Sequence, residues 1–247
     1  MRRGEVWRAP GLAVSEARGG KDERCCLGRD VNMKRHGFSW LLTILLALAI
    51  LPGCGAGGEN AGGGSAQQSG EIGTVQWTLG DGTLTFSGEG IIREAAWLEE
   101  PYRVERDDIT EVIFGDGIED FNYGLFSACR NLRSVTFGDG FTCVPSEAFV
   151  DCASLEEVRF RKNVTRIDGW AFQRCGLREV VLPEGLTLIN GEAFQGCQDL
   201  ESVTIPDSVT DIEESAFDGC ERLTIHAREG SFAERFAAAR GIPFAAL

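Results

Sequence analysis

Apolar residues recur with a fixed spacing between residues 109 and 225. The clearest marker is a phenylalanine that appears five times at intervals of 22 or 23 residues, as Phe126, Phe149, Phe172, Phe194 and Phe217. An apolar cluster of the general form L-x-x-V-x-I precedes each phenylalanine, and a cysteine follows each one three residues later. A unit of this length cannot bury its apolar face alone, so stacking of successive units completes the core. The spacing therefore predicts a solenoid of five repeat units.

Each unit is predicted to contain one short strand. In the stretch LESVTIP, which begins at Leu200, the pattern directs Leu200, Val203 and Ile205 inward. A proline ends this strand because proline has no N–H to donate to a ladder. The Ala-Phe-x-x-Cys segment is expected to form a helical turn or an irregular arm on the opposite side. The third unit is one residue short at Cys175-Gly176, so the local geometry there is expected to differ.

The full unit, L-x-x-V-x-I-P-x-x-V-x-x-I-x-x-x-A-F-x-x-C-x-x, is similar to the repeat of the BspA-like leucine-rich repeat surface proteins of bacteria. The resemblance spans residues 109–225, which hold five repeats and a final strand. It implies a leucine-rich repeat solenoid in which each repeat of 23 residues provides a β-strand and a short helical or irregular arm. Residues 71–108 resemble the family's N-terminal β cap, and residues 226–247 resemble its C-terminal cap. Because the family includes adhesins, the resemblance also implies a binding protein on the cell surface.

An export signal is predicted at residues 33–53. A short basic start precedes an apolar run from Trp40 to Leu51, and this run is shorter than the about 20 residues that a transmembrane helix needs. The residues up to Cys54 resemble the lipobox of bacterial lipoproteins, in which the signal is cut before a cysteine that carries the acyl chains. The resemblance implies a lipid anchor on Cys54 at the bacterial cell membrane. A retained membrane anchor with a short apolar helix is the alternative interpretation.

The segments around this signal have simple interpretations. Residues 1–32 show no periodicity, and we interpret them as an extension upstream of the true start at Met33. Residues 54–70 are rich in glycine and contain serine. This composition predicts a flexible linker that holds the repeats away from the bilayer. Residues 54–247 carry 15 basic and 33 acidic side chains. A surface with this charge repels a polyanion, so no nucleic-acid partner is expected.

The cysteines of the repeats are predicted to form one column, because equivalent residues of stacked strands lie about 4.7–4.9 Å apart. A line of thiols cannot converge on one zinc ion, so no metal site is expected. Two interpretations remain open: a buried, reduced column that packs as small apolar side chains, and disulfides formed after export. Cys143 falls at an outward position and is expected to be the reactive thiol. The column consists of Cys129, Cys152, Cys175, Cys197 and Cys220.

Motifs for catalysis are not found in this sequence. His226 is the only histidine after the predicted signal, and no nucleophile motif accompanies it. Neither enzymatic activity nor a cofactor is therefore expected, and we expect the protein to act through a binding surface.

The outward positions of the strand layer should line the concave side of the solenoid, which is the usual binding face of such folds. Trp170 precedes an Ala-Phe pair and is either an exposed contact or a cover over a neighbouring unit. The candidate binding residues are Arg133, Glu156, Glu157, Arg159, Trp170, Arg178, Glu179 and Glu201.

Two functional hypotheses follow from these features. The first is an exported, lipid-anchored surface protein whose solenoid binds a protein or glycan on host or neighbouring bacterial cells. The second is a structural or sensory component of the envelope that binds a partner of the same cell. Both hypotheses predict that the solenoid binds a partner and that the lipid anchor attaches the protein to the membrane.

Overall fold

The computed structural model describes residues 67–93 and 106–247. The predicted upstream extension, the predicted export signal and Cys54 lie outside the described residues, as does the predicted linker up to residue 66. Within the described ranges, no helix is long and apolar enough to cross a membrane.

Two columns of parallel strands run through the repeats, and we call them the first ladder and the second ladder. Strands of the first ladder come from the L-x-x-V-x-I part of each unit, and those of the second ladder follow after a short corner. The first ladder comprises β3 (Thr83–Gly88), β5 (Glu111–Phe114), β7 (Ser134–Thr136), β9 (Glu157–Arg159), β11 (Glu179–Val181), β13 (Ser202–Thr204), β15 (Thr224–Ala227) and β16 (Phe244–Ala246). The second ladder comprises β4 (Gly90–Ile92), β6 (Ile118–Phe121), β8 (Cys143–Val144), β10 (Arg166–Ile167), β12 (Leu188–Ile189) and β14 (Asp211–Ile212).

Equivalent residues of paired strands are direct neighbours in these ladders, and among the described strands the second ladder is interrupted between β6 and β8. In the first ladder, Val112 pairs with Val135, and Val135 pairs with Val158. The resulting β-solenoid has about six turns, one more than the five units predicted. The additional turn comes from β3 and β4, which pair in parallel with β5 and β6. The predicted leucine-rich repeat fold is confirmed, and the N-terminal segment adds a turn to it.

Two columns of stacked phenylalanine rings fill the interior. In each column, the rings of neighbouring units lie nearly parallel, and a stacked aromatic pair adds about 0.5–1.5 kcal/mol beyond its buried area. The first column has centroid separations of 5.2–5.6 Å and consists of Phe126, Phe149, Phe172, Phe194 and Phe217. The second has separations of 5.5–5.7 Å and consists of Phe86, Phe114, Phe137 and Phe160.

The Ala-Phe-x-x-Cys arm is built from turns. Its backbone also links neighbouring units, because Phe149 N donates to Ala171 O and Phe172 N donates to Ala193 O, each at 2.8 Å. The residue before each cysteine has a left-handed conformation, with φ between 54° and 77°. These units are thus tied to one another on the arm as well as by strand pairing.

An antiparallel meander closes the N-terminal end. β1 (Gln68–Ile72) pairs with β2 (Val75–Gly80), and β2 pairs with β3. Asp81 and Gly82 form the tight turn between β2 and β3 with φ values of 49° and 80°, as a type I′ hairpin turn requires. β1 begins at Gln68, inside the segment that the sequence assigned to the linker.

A short helix and a final strand close the C-terminal end. The helix α1 (Phe232–Arg240) begins after Ser231, whose side chain accepts a hydrogen bond from Glu234 N at 3.2 Å, and it ends at Gly241 with a φ of 68°. This is the usual pairing of an N-cap serine with a left-handed C-terminal glycine. Phe236 of α1 meets the last ring of the first phenylalanine column edge-on at 6.1 Å.

The first ladder is interrupted between β9 and β11, and we call this interruption the seam. β9 is the last strand of one sheet and β11 is the first strand of the next. At other steps of the ladder, flanking backbone bonds join successive units, such as Glu156 N to Arg133 O at 2.9 Å and Leu182 N to Thr204 O at 3.0 Å. Between the residues described on either side of the seam, the corresponding bonds are not formed.

The seam coincides with the residue that the third unit lacks. Gly176 lies so close to Ala153 that a Cβ built on it would be 2.2 Å from the Ala153 carbonyl oxygen. The second ladder continues past this point, since Ile167 pairs with Ile189. The units on either side remain joined there and on the arm.

Candidate binding surface

Seven of the eight candidate binding residues lie along the first ladder. Glu157 and Arg159 belong to β9, and Glu179 belongs to β11. The other four occupy the positions just before a strand and are Arg133, Glu156, Arg178 and Glu201. All seven side chains are exposed. Alternation places them on the outside because the apolar partners of each strand point into the core.

The charges on this face are mixed and partly paired. Arg159 contacts Glu157 at 2.6 Å, and Arg222 contacts both Glu201 and Asp199. About half of each of these side chains is exposed, and exposed ion pairs of this kind contribute at most about 1 kcal/mol. A ligand can therefore replace these ion pairs at a small cost in free energy.

Glu111 extends the same face toward the N-terminus and was not among the candidates. Its carboxylate accepts hydrogen bonds from Thr83 Oγ1 and Ser134 Oγ, each at 3.2 Å. The three residues are successive partners in the ladder, which explains the contact. Because Thr83 belongs to the turn that the sequence did not predict, the contact was not predictable from the repeat pattern alone.

Trp170 lies on a different part of the turn. It follows the second ladder and precedes the buried Ala171-Phe172 pair. The side chain is 41% exposed, and its Nε1 donates a hydrogen bond to Glu192 Oε2 at 2.7 Å. The indole is thus tied to the next unit and still presents apolar surface to solvent. It does not share the face of the first ladder.

The backbone of Trp170 is also unusual. Its φ is +58°, in the left-handed region, and Gly124 occupies the equivalent position of the first unit with a φ of +67°. Glu147 and Glu192 share this conformation in the adjacent units. A bulky residue is uncommon in this region, because its Cβ crowds the neighbouring carbonyl oxygen. The sequence did not reveal this strain because the conformation of the turn is set by stacking.

The five cysteines of the repeats line up along the interior of the arm. Four are buried, and Cys220 at the C-terminal end is partly exposed. Each thiol from the second unit onward donates to the carbonyl oxygen of the phenylalanine in the preceding unit. The Sγ–O distances are 3.1–3.2 Å for Cys152 to Phe126, Cys175 to Phe149, Cys197 to Phe172 and Cys220 to Phe194. The cysteine thus links units as a donor, a role that the packing interpretation did not include.

The five cysteines of the column are free thiols in this structure. Burial raises the pKa of the Cys129 thiol to about 11, and it also raises the pKa of Cys152 and of Cys175. A thiol that stays protonated reacts slowly with electrophiles and oxidants. The column is therefore chemically inert except at its exposed end.

The prediction for Cys143 was wrong. Its side chain is only 1% exposed, although it stands at an outward position of β8. Its partner in the second ladder is Arg166, whose long side chain reaches Asp168 at 2.7 Å. A cysteine is short, so longer neighbouring side chains shield it even on the outer side of a ladder.

Two further clusters stabilise the outside of the central units. Asp168 is buried and is held by Arg166 and by Asn190 Nδ2 at 2.9 Å. Asp151 forms two contacts with Arg174, at 2.5 and 2.8 Å, and this guanidinium lowers the pKa of Asp151.

Among the residues described, no group of three or more histidine, cysteine, aspartate or glutamate side chains is arranged to hold a metal ion.

The stacked ladders, the turn-based arm and the column of linking thiols define a leucine-rich repeat solenoid. Residues 102–224, about half of the chain, match the BspA type leucine rich repeat region in six copies. This repeat region therefore belongs to the BspA-type leucine-rich repeat family, whose members are typically non-enzymatic binding proteins. A search of curated proteins finds no match to the chain.

Solved structures of bacterial leucine-rich repeat proteins are similar to this chain. One, from Eubacterium ventriosum, is 27% identical with a TM-score of 0.59, and the match covers 67% of this chain and 45% of that one. Another, from Bacteroides ovatus, is 22% identical with a TM-score of 0.46 and coverage of 67% and 50%. The chain thus spans about half the length of these two proteins. A leucine rich cell surface protein from Faecalibacterium prausnitzii is 15% identical with a TM-score of 0.30 and coverage of 72% and 94%.

Proposed function

We propose that this protein is an exported bacterial surface lipoprotein that binds a protein or glycan ligand through its repeats. The observation that supports this proposal most directly is Trp170. An aromatic residue in the left-handed conformation costs about 1–3 kcal/mol, and glycine at the same turn position avoids this cost. A strained and exposed tryptophan is accounted for by a contact with a ligand, since tryptophan is enriched among the residues that dominate binding.

The first ladder provides the second part of the proposed surface. Its exposed arginines and glutamates stand on short strands whose apolar residues pack against the core, although Val158 of β9 is only partly buried. The weak ion pairs among them leave the charges available to a partner. We infer that a ligand contacts Arg133, Glu156, Glu157, Arg159, Arg178, Glu179 and Glu201 on this face.

Binding of the full chain, purified in detergent micelles, to immobilised matrix proteins, mucin glycans and an envelope extract of the producing bacterium tests this proposal. The variants Trp170→Gly and Arg159→Glu should weaken binding. Lys162→Glu is a matched control for the charge change, because Lys162 is exposed in the corner between the two ladders. Binding that none of the substitutions weakens would contradict the proposed surface. Binding only to the envelope extract would instead favour a partner of the same cell.

The lipid anchor on Cys54 is a separate part of the proposal. It is supported by the lipobox-like residues before Cys54 and by the glycine-rich segment after it. In the producing bacterium, a labelled palmitate analogue should enter the wild-type chain and not the Cys54→Ala variant. Mass spectrometry of the exported protein should also find its first residue at Cys54. A chain that retains residues 33–53 would show that the signal is kept as a membrane anchor.

A further inference from the structure

The turns between the second ladder and the arm place Trp170 between two glutamates. From β6 onward, we call the three residues that follow each strand of the second ladder the arm turn. The arm turns are residues 122–124, 145–147, 168–170, 190–192 and 213–215. Glu147, Trp170 and Glu192 end three consecutive arm turns and share a left-handed backbone, with φ values of 56°, 58° and 59°.

These three residues are stacked along the solenoid axis. Glu147 N donates to Gly169 O at 3.1 Å, and Trp170 N donates to Gly191 O at 3.4 Å. The phenylalanine rings of the same three units are 5.5 and 5.3 Å apart, which gives the step from one unit to the next. The indole of Trp170 therefore has a glutamate one step away on either side.

The ring of Trp170 is available to a ligand. The residue is 41% exposed, and the bond from its Nε1 to Glu192 Oε2 fixes the orientation of the indole. Within the described ranges, no other ring and no cation is paired with it, whereas Arg235 lies over the ring of Phe232 at 5.6 Å. The face of an aromatic ring attracts a cation, and tryptophan provides the strongest attraction.

The charges of the arm turns are complementary to a cation. The five arm turns carry no lysine or arginine and five acidic residues, which are Glu147, Asp168, Glu192, Glu213 and Glu214. The nearby Arg166 and Arg174 are bonded to Asp168 and Asp151, at 2.7 and 2.5 Å. Glu147 is exposed and forms no ion pair with any residue that the structure describes. This charge distribution differs from that of the first ladder, where arginines and glutamates are mixed.

The arrangement of the three side chains favours arginine over other cations. A guanidinium is planar, so it stacks on an indole while its N–H groups donate sideways in the plane of the group. Carboxylates on both sides of the indole are placed to accept these hydrogen bonds, which are strengthened by charge. A lysine ammonium is a compact point charge and cannot stack on the ring and span both glutamates.

We propose that Trp170, Glu147 and Glu192 form a binding site for an exposed arginine side chain of a partner protein. The guanidinium stacks on the indole and donates hydrogen bonds to Glu147 and Glu192. This proposal rests on the proposed binding function and assigns it a place and a class of ligand.

The probe is a fluorescently labelled pentapeptide of alternating serine and arginine, measured by fluorescence anisotropy with the full chain in non-ionic detergent micelles. Trp170→Gly should weaken binding at least about fivefold, and Glu147→Gln and Glu192→Gln should each weaken it about threefold. Glu192→Gln keeps an oxygen that accepts from the indole Nε1, so it changes the charge and retains this bond. The same peptide should bind more weakly with lysine in place of arginine and should not bind with citrulline, which has a similar shape and no charge.

Two variants are matched controls and should bind the peptide as wild type does. Glu184→Gln removes one negative charge from an exposed residue in the corner between β11 and β12. Tyr123→Ala removes an aromatic side chain that is 74% exposed in the first arm turn. Tyr123 has a glutamate-bearing arm turn on one side only, and on its other side the Arg93 carbonyl accepts from Asn122 Nδ2.

Nuclear magnetic resonance locates the site independently of affinity. The indole N–H signal of Trp170, assigned by its absence from Trp170→Gly, should shift as the arginine peptide is added. An unshifted signal, equal binding of the citrulline peptide, or no binding up to millimolar concentration would overturn the proposal. A loss in Glu184→Gln as large as that in Glu147→Gln would also overturn it, since the peptide would then sense only the overall charge. A shift caused by an N-acetylglucosamine tetramer and not by the peptide would overturn it in favour of a glycan.

Failure of this proposal is distinguishable from failure of the proposed function. If the peptide does not bind while Trp170→Gly still weakens binding to matrix protein, glycan or envelope extract, the surface function stands and its ligand is not an arginine side chain. If the peptide binds at Trp170 while wild type binds none of these materials, the arginine site stands and the adhesive function does not.

Discussion

Replacement of Phe172 by alanine tests whether aromatic stacking between units holds the solenoid together. Phe172 is fully buried and stands in the middle of the first phenylalanine column. Its ring centroid is 5.5 Å from that of Phe149 and 5.3 Å from that of Phe194, and the ring of Phe160 meets it edge-on at 6.0 Å. The contacts with Phe149 and Phe194 join neighbouring units, and the contact with Phe160 lies within one unit.

The expected loss of stability follows from these contacts. Removing a buried phenylalanine costs about 3–5 kcal/mol, depending on how far the surroundings collapse into the cavity. The neighbouring rings of Phe172 are held by other units, so little collapse is expected and the loss should be about 4–5 kcal/mol. Phe172→Leu keeps most of the apolar burial and loses the ring contacts, so it should cost about 1–3 kcal/mol.

Equilibrium unfolding in urea, followed by circular dichroism, measures these losses. Tyr123→Ala is the control because Tyr123 is 74% exposed, and its change should stay within about 0.5 kcal/mol. The comparison is valid where the dependence of the unfolding free energy on urea is the same for each variant. A loss below about 1 kcal/mol for Phe172→Ala would refute the idea that the stacked rings couple the units.

Three further predictions concern single side chains. Among the cysteines of the described residues, iodoacetamide should modify Cys220 first and leave Cys143 unmodified, as mass spectrometry would reveal; rapid modification of Cys143 would contradict its burial. Trp170→Gly should be more stable toward urea than Trp170→Ala by about 1 kcal/mol, because glycine adopts the left-handed conformation without strain; equal stabilities would show that the turn is relaxed. The contact with Arg174 lowers the pKa of Asp151, so its stabilisation is present above the ordinary aspartate pKa and disappears as the pH falls through the lowered value. Asp151→Asn should therefore be less stable than wild type at pH 7 by no more than about 1 kcal/mol, since the pair is exposed, and the two should be equally stable at a pH below the lowered pKa of Asp151. A difference that persists there would exclude the ion pair as its source.

The fold was largely predictable from the sequence because its repeats are physically equivalent. Stacking forces Val112, Val135 and Val158 into one row, so a period in the sequence becomes a column in space. The additional turn was not predicted because β3 carries the inward residues Leu84 and Phe86 without the Ala-Phe-x-x-Cys arm that identified the other units. An isolated apolar alternation is also compatible with a cap hairpin.

The candidate surface was predictable only in part. Alternation identifies which residues of β9 and β11 point outward, but it does not predict whether the two strands pair. The signal for the seam was present as the missing residue at Cys175-Gly176, and its consequence depends on the close approach of Gly176 to Ala153 O. Alternation also failed to predict the burial of Cys143, because burial at an outward position depends on the length of the neighbouring side chains.

The antiparallel pairing of β1 has a mechanical consequence for the molecule. Among the described strands, β1 is an edge strand that pairs only with β2, and Gln68 at its start pairs with Leu79 at the open end of the hairpin. Tension applied through the residues before Gln68 therefore acts on one pair of residues at a time, from Gln68 and Leu79 toward Ile72 and Val75. The parallel ladders behind this hairpin bear load only after it has peeled away. We therefore expect β1 to extend under force before the stacked units change their shape.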